Sequence, residues 1–221
     1  VITRLTRVAR RGLGLCLLLA AGAAMAIEEP AFKVLSHERD FEVRTYGPRI
    51  VAETLVEGTL ATASSTGFRR VAGYIFGRNR SNEGQSAAIA MTAPVIVANA
   101  QTIAMTAPVT TRAETGGYRL QFVMPAAYTL ATLPTPLDPA VHLREVAGAT
   151  YAVVRFSGWC GETKVAERTA ALRAWLAKRD LTARGEAELA RYDPPWQLPF
   201  LRRNEILIPL AAPPAGSHRT P

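Results

Sequence analysis

The chain predicts an α+β protein in which the order ββαββ occurs twice, the two halves closing one sheet or barrel around a shared core. Three observations carry this. Strand-like alternation over 32–56, broken by Gly47-Pro48, returns over 141–156, broken by Ala147-Gly148. Each pair ends at a glycine, Gly58 or Gly158, and is followed by helical spacing. Within the first half, the heptapeptide Ile-Ala-Met-Thr-Ala-Pro-Val occurs at both Ile89–Val95 and Ile103–Val109.

In order, strands are expected at Phe32–Ser36, Phe41–Thr45 and Ile50–Val56. Phe68, Val71, Ala72 and Ile75 then share one face of a helix over about residues 60–76, with Gly77 and Asn79 as its stop. The polar stretch Arg78–Ser86 reads as a loop, and Gly116-Gly117 turns into a strand over Tyr118–Met124. After the Pro-rich connector Leu133–Pro139 come strands Val141–Val146 and Thr150–Phe156. The stretch Glu162–Arg179 places Val165, Thr169, Leu172 and Leu176 on one helical face and is the clearer of the two helices. Glu188–Tyr192 and Asn204–Leu210 complete the second half, matching Met91–Val95 and Arg119–Met124 of the first. The Pro- and Gly-containing tail Ala211–Pro221 reads as disordered.

The two heptapeptides are an even 14 residues apart, which keeps Ile89, Met91, Val95, Ile103, Met105 and Val109 in one parity class and so on one strand face. A hairpin turning around Asn99–Gln101 would set Met91 roughly opposite Val109 and make a deformable thioether wall suited to a flat ligand. A core hairpin that binds nothing is the competing reading.

The N-terminus differs from the rest. Arg4, Arg7, Arg10 and Arg11 precede an apolar run, Leu13–Ala24, and the small residues before Ile27. That order reads as a secretory signal peptide over residues 1–26, cleaved after Ala26, with an uncleaved anchor as the alternative. The expected location is therefore secreted, periplasmic, with no integral membrane span in the mature chain. Of 26 Lys+Arg against 18 Asp+Glu, the four leader arginines account for half of the net charge of +8. No basic run with interleaved aromatics remains, which argues against nucleic acid as a partner. Cys160, alone in the mature chain, reads as a small hydrophobe beside Trp159.

No phosphate loop, nucleophile elbow or metal-spaced Cys/His set is present, so the sequence supplies no catalytic residues and no metal site. His37 and His142 read as edge histidines, and the alternating Glu38, Asp40 and Glu42 as a solvated strand face. What remains is apolar surface edged by cations. Phe68, Val71 and Ile75 lie on one helix with Met91 and Met105 nearby in sequence, and a stiff loop carries Trp196 and Phe200 ahead of Arg202 and Arg203. These eight residues (Phe68, Val71, Ile75, Met91, Met105, Trp196, Arg202, Arg203) suit a planar apolar molecule bearing carboxylates. Equally physically, Phe68 and Val71 would pack on the sheet and Arg202 would pair with Glu205 at the surface.

The residues Phe41 to Pro48, Gly67-Phe68 through Tyr74-Ile75, both Met-Thr-Ala-Pro-Val copies, and Tyr192 through Glu205 resemble, in that order, the SOUL haem-binding protein family. The resemblance covers nearly all of Glu28–Leu210 and makes 27–210 one haem-binding domain. It implies a distorted antiparallel β-barrel with two flanking helices, binding haem or another tetrapyrrole without catalysis in an apolar groove by the first helix. Some members carry an axial histidine just before Tyr-Gly-Pro, where this chain has Thr45, a poor iron ligand. The residues leave three options: ligation by His37, His142, Met91 or Met105, tetrapyrrole held by packing alone, or no haem. Packing with weak or absent ligation is the expectation. The same fold is similar to the effector-binding domains of multidrug-sensing regulators, so a binder of other apolar small molecules, or an envelope interaction module with a vestigial pocket, are the alternatives.

Overall fold

A computed structural model describes residues 28–81, 101, 103–194 and 196–211. The expected leader, the first heptapeptide with Met91, and the tail beyond Ala211 lie outside the described residues. The chain runs β1 (Phe32–Glu38), β2 (Phe41–Tyr46), β3 (Arg49–Val56), α1 (Leu60–Ile75), β4 (Asn79–Arg80), β5 (Val109–Glu114) and β6 (Gly117–Val123). It continues β7 (Thr135–Pro136), β8 (His142–Val146), β9 (Ala149–Phe156), α2 (Glu162–Ala177), β10 (Glu188–Arg191), a 3-10 turn at Pro199–Leu201 and β11 (Asn204–Pro209).

Nine strands form one curled antiparallel sheet in the order β1-β2-β9-β11-β10-β5-β6-β3-β8, and β4 pairs with β7 apart from it. With β1 set aside, this order reads identically from either end. The units β2-β3-α1-β5-β6 and β8-β9-α2-β10-β11 exchange by a pseudo-twofold between β5 and β10. The duplicated ββαββ topology is thus present as an α+β half-barrel whose edges, β1 and β8, are not hydrogen-bonded to each other. Strands β3 and β9 start 100 residues apart and share one burial pattern despite sharing only one residue, Ala52 and Ala152. The glycines after them have φ of +105° at Gly58 and +101° at Gly158, a region side chains avoid, so both helices are entered through the same turn.

Both helices cover one face of the sheet. Thr59 caps α1, its hydroxyl accepting from Thr62 N at 3.3 Å, and Ala63, Gly67, Val71 and Ile75 are buried at intervals of four. Gly67 lets the helix close on Leu120 of β6, where a Cβ would lie only 3.0 Å from the leucine Cβ. The second helix, expected to be the more clearly amphipathic, buries only Leu172, Trp175 and Leu176, with Val165 packed at the core margin. Its Trp175 stacks on Phe41 at 5.4 Å, so one aromatic pair does there what a row of small residues does under α1.

Two sequence expectations are corrected. The second heptapeptide is not a strand: Thr106, Ala107 and Pro108 are buried in succession, the Ala107–Pro108 bond is cis, and β5 begins only at Val109. Consequently the first-half counterpart of β10 is Val109–Glu114, not Met91–Val95. Short apolar alternation, with no turn signal of its own, could not distinguish a strand from a buried irregular segment.

Candidate functional site

Strand parity divides the sheet into two chemically different faces. Ala52, Leu120 and Phe122 point to α1, while Ala152, Val154, Ile206 and Ile208 join the core with α2. The opposite parity faces away from the helices and carries charge: Arg49 and Glu53 on β3, Arg112 and Glu114 on β5, Arg119 and Gln121 on β6, Arg144 on β8 and Glu188 on β10. These side chains, with Tyr151 and Val146, line a cavity of about 490 Å³.

The carboxylates in that cavity are shared among arginines. Arg119 holds Glu114 in a two-pronged contact, 2.8 and 2.7 Å, and reaches Glu53 at 2.7 Å. Arg144 and Gln121 donate to the other Glu53 oxygen at 2.9 and 2.7 Å. Arg112 pairs with Glu114 and, at 3.4 Å, with Glu188. Hydrogen bonding from Arg119, helped by Arg112 and opposed by burial, lowers the Glu114 pKa to about 2. Burial works against ionised Glu53, but its bonds from Arg144 and Gln121 and the nearby charges outweigh that and hold it below the usual carboxylate value. Glu188 goes the other way: burial raises its pKa more than Arg112 and Arg49 lower it.

Across the pseudo-twofold the same face is sealed. Arg44 grips Glu205 through two bonds of 2.9 and 3.2 Å, and the Tyr192 hydroxyl donates to Glu205 at 2.7 Å. Both charged partners are buried, Glu205 completely, under Tyr46, Tyr151 and Leu207.

The sequence-predicted site residues divide three ways. Val71 and Ile75 are wholly buried in the core between α1 and the sheet, and Met105 packs against the same cluster. Phe68 is exposed at the edge of that core, its ring 5.4 Å from Phe122. Trp196 is 83% exposed on the β10–β11 loop. Arg202 lies over the ring of Trp159 at 4.5 Å and donates to the Gln197 carbonyl at 2.8 Å. Arg203, not Arg202, reaches Glu205 at 3.1 Å, and it also pairs with Glu29 at 3.0 Å, so it is committed to structure.

One register row links Phe68 to the loop. Phe122 lies opposite Val109, Val109 opposite Arg191, and Arg191 opposite Asn204, so Phe68 sits over the row from which the loop leaves and to which it returns. That loop is tied to the start of α2: Gly158 N donates to Pro199 O at 2.9 Å, and Asn204 to Gly158 O at 3.1 Å. The junction exposes Trp159, Leu198, Phe200 and Leu201 beside Trp196. Cys160 next to it is partly buried against the α2 core.

The sequence reading missed the arginine cavity and the outward-facing Trp159. The cavity's only signal was charge on one strand parity, Arg49 and Glu53 on β3 and Arg112 and Glu114 on β5, which reads equally as a solvated face. For iron, His37 is exposed beside Glu42 and His142 is exposed on edge strand β8, and no cluster of three His, Cys, Asp or Glu residues exists among the described residues. Thr45 shares a 2.8 Å hydrogen bond with Thr150, so its hydroxyl is engaged within the sheet. No helix among the described residues is long and apolar enough to cross a membrane.

A duplicated ββαββ half-barrel of this kind is shared by solved proteins of distant sequence. The C-terminal domain of EcmrR is similar with a TM-score of 0.55 at 9% identity, over 82% of this chain and 99% of that one. A protein described as a hydrolase from Listeria innocua is similar with a TM-score of 0.50 at 10% identity, over 80% and 94%. At such identities the likeness is one of fold alone. No curated protein matches the sequence. The model of the SOUL heme-binding protein family matches residues 27–102 and 97–209, and the chain belongs to that family.

Proposed function

We propose that the protein is a secreted, non-enzymatic binder of haem or a related tetrapyrrole, and that the macrocycle lies against the exposed aromatic junction of the β10–β11 loop and the α2 entrance, on the side toward Phe68. Family membership supports the ligand class. The observation that carries the location is the exposure of Trp159 at 70%, Trp196 at 83% and Phe200 at 68% around Arg202. A contiguous exposed apolar patch marks an interaction or ligand site, and a flat ligand would cover these rings while Arg202 meets its acid groups. Packing, without a strong axial ligand, holds the macrocycle in this reading. The leader-like N-terminus supports secretion.

Haem titration followed by absorbance tests this. Wild type is expected to saturate, Trp159→Ala with Trp196→Ala to weaken binding at least tenfold, and His37→Ala to leave the Soret band in place. Failure of wild type to bind haem overturns the proposal, and loss of the Soret shift in His37→Ala overturns binding by packing. The openness of the same patch favours a second reading, an interaction surface for another protein in the envelope. That reading predicts no haem saturation but self-association or partner capture that the double tryptophan variant abolishes.

A further inference from the structure

The arginine cavity lies on the face of the sheet opposite the helices, apart from the aromatic junction. Three of its arginines are consumed by its own carboxylates: Arg112 and Arg119 by Glu114, Arg119 and Arg144 by Glu53. Arg49 is different. It makes no salt bridge among the described residues, and its charge acts on Glu188 only at longer range. Its Nη2 makes one long bond, 3.4 Å, to the Tyr151 hydroxyl, and its Nη1 is buried with no hydrogen-bond partner. Its guanidinium stands 5.4 and 5.8 Å from the ring centres of Tyr46 and Tyr151, which orient it without accepting from Nη1.

An unpaired buried donor on a permanently charged group is costly unless something accepts from it. The group that matches a guanidinium fork is a carboxylate or phosphate, each offering two oxygens in one plane. The volume of about 490 Å³ falls within the range of roughly 300–1,000 Å³ usual for small-molecule sites, so there is room for an organic body as well as its anionic group. The lining excludes a bare porphyrin, since its walls are ion pairs, and Val146 and Tyr151 supply what apolar contact there is. Among the lining residues four arginines stand against three glutamates, an excess of one cationic side chain.

We propose that this cavity is a second ligand site, for a small oxyanion of the carboxylate or phosphate class, anchored by Arg49 and the Tyr151 hydroxyl. It is independent of the tetrapyrrole reading. The two sites use opposite faces of the sheet, and neither shares a residue with the other.

Calorimetric titration of the full chain at constant ionic strength, with succinate in one arm and inorganic phosphate in the other, tests it. Saturable binding of either is expected, and the arm that binds identifies the anion. Arg49→Gln should weaken it at least tenfold and Arg49→Lys should recover part of the loss. Arg179→Gln, which removes the same charge at the end of α2, should leave it unchanged. If Arg49→Gln fails to fold, Tyr151→Phe serves in its place with a smaller loss expected. Absence of saturable binding in both arms overturns the proposal, as does equal weakening by Arg179→Gln, which would mark non-specific attraction to a basic protein. Haem binding by Arg49→Gln should equal that of wild type, so failure here leaves the tetrapyrrole reading standing and the reverse is also true.

Discussion

The two halves share one topology, yet their helix-free faces treat charge differently. Strands β3 and β9 align position for position, Arg49 with Ala149 and Glu53 with Val153. Through their partners, Leu55 opposite Arg119 and Arg155 opposite Glu205, Arg119 occupies in the first half the place Glu205 holds in the second. Arg44 and Arg144 fall at the same place in the two repeats. On the side of the sheet where β2, β9 and β11 adjoin, then, Arg44 meets a carboxylate directly and the pair closes over completely. On the opposite side, where β8, β3 and β6 adjoin, the corresponding partner is another cation, Glu53 must intervene between Arg119 and Arg144, and the crowd of guanidinium groups leaves a cavity open. The change of sign from Glu205 to Arg119, with Arg49 in place of Ala149 and Glu53 in place of Val153, separates a polar staple from a solvent-accessible site.

The largest effect should come from breaking the staple. Arg44→Met strips the fully buried Glu205 of its two-pronged partner and leaves it only Arg203 and the Tyr192 hydroxyl, which should cost about 3 kcal/mol of stability, whereas Arg144→Met removes a half-exposed arginine, leaves Glu53 still bound by Arg119 and Gln121, and should cost about 1 kcal/mol or less. Urea unfolding of both variants measures the difference, and equal losses would mean the halves are not distinct in this sense. Next comes acid. Glu53 and Glu114 of the open half and Glu42 beside the staple all have pKa values lowered by folding. Their stabilisation is fully present above the ordinary carboxylate value of 4.5 and is lost as pH falls toward the folded value of about 2 for Glu114. The melting temperature should decline across that window, and Glu114→Gln should flatten the decline. The smallest effect concerns Glu188. Its raised pKa means that the folded protein binds a proton more readily than the unfolded chain, so this group contributes stability below 4.5 and loses it as pH rises through the folded value. Glu188→Gln should therefore narrow the difference in melting temperature between pH 4.5 and pH 7.

Much of the fold was legible because local rules and tertiary demands agree. Alternation placed β2, β3, β6, β8 and β9 within one or two residues, and all of these but the edge strand β8 pair on both sides. Gly58 and Gly158 marked the helix entrances because their φ values exclude other residues. Less legible was the heptapeptide, in which Thr106, Ala107 and Pro108 are buried by contacts from Glu28 and Val123, far away in sequence. Phe68 and Val71 looked alike as helix-face residues, yet a shift of three positions on a helix near the sheet margin leaves one exposed and the other enclosed.

By itself, then, the amino-acid order determined the family, the doubled ββαββ plan and the spacing of apolar stripes, because these depend on periodicities of two and 3.6 that neighbouring residues express directly. Only the tertiary structure decided which charged residues meet. Arg44 and Glu205 are 161 positions apart, and Arg112 and Glu188 are 76. Whether an arginine becomes a sealed staple or, like Arg49, a donor awaiting an acceptor depends on which strand lies opposite, and strand order is a property of the closed sheet.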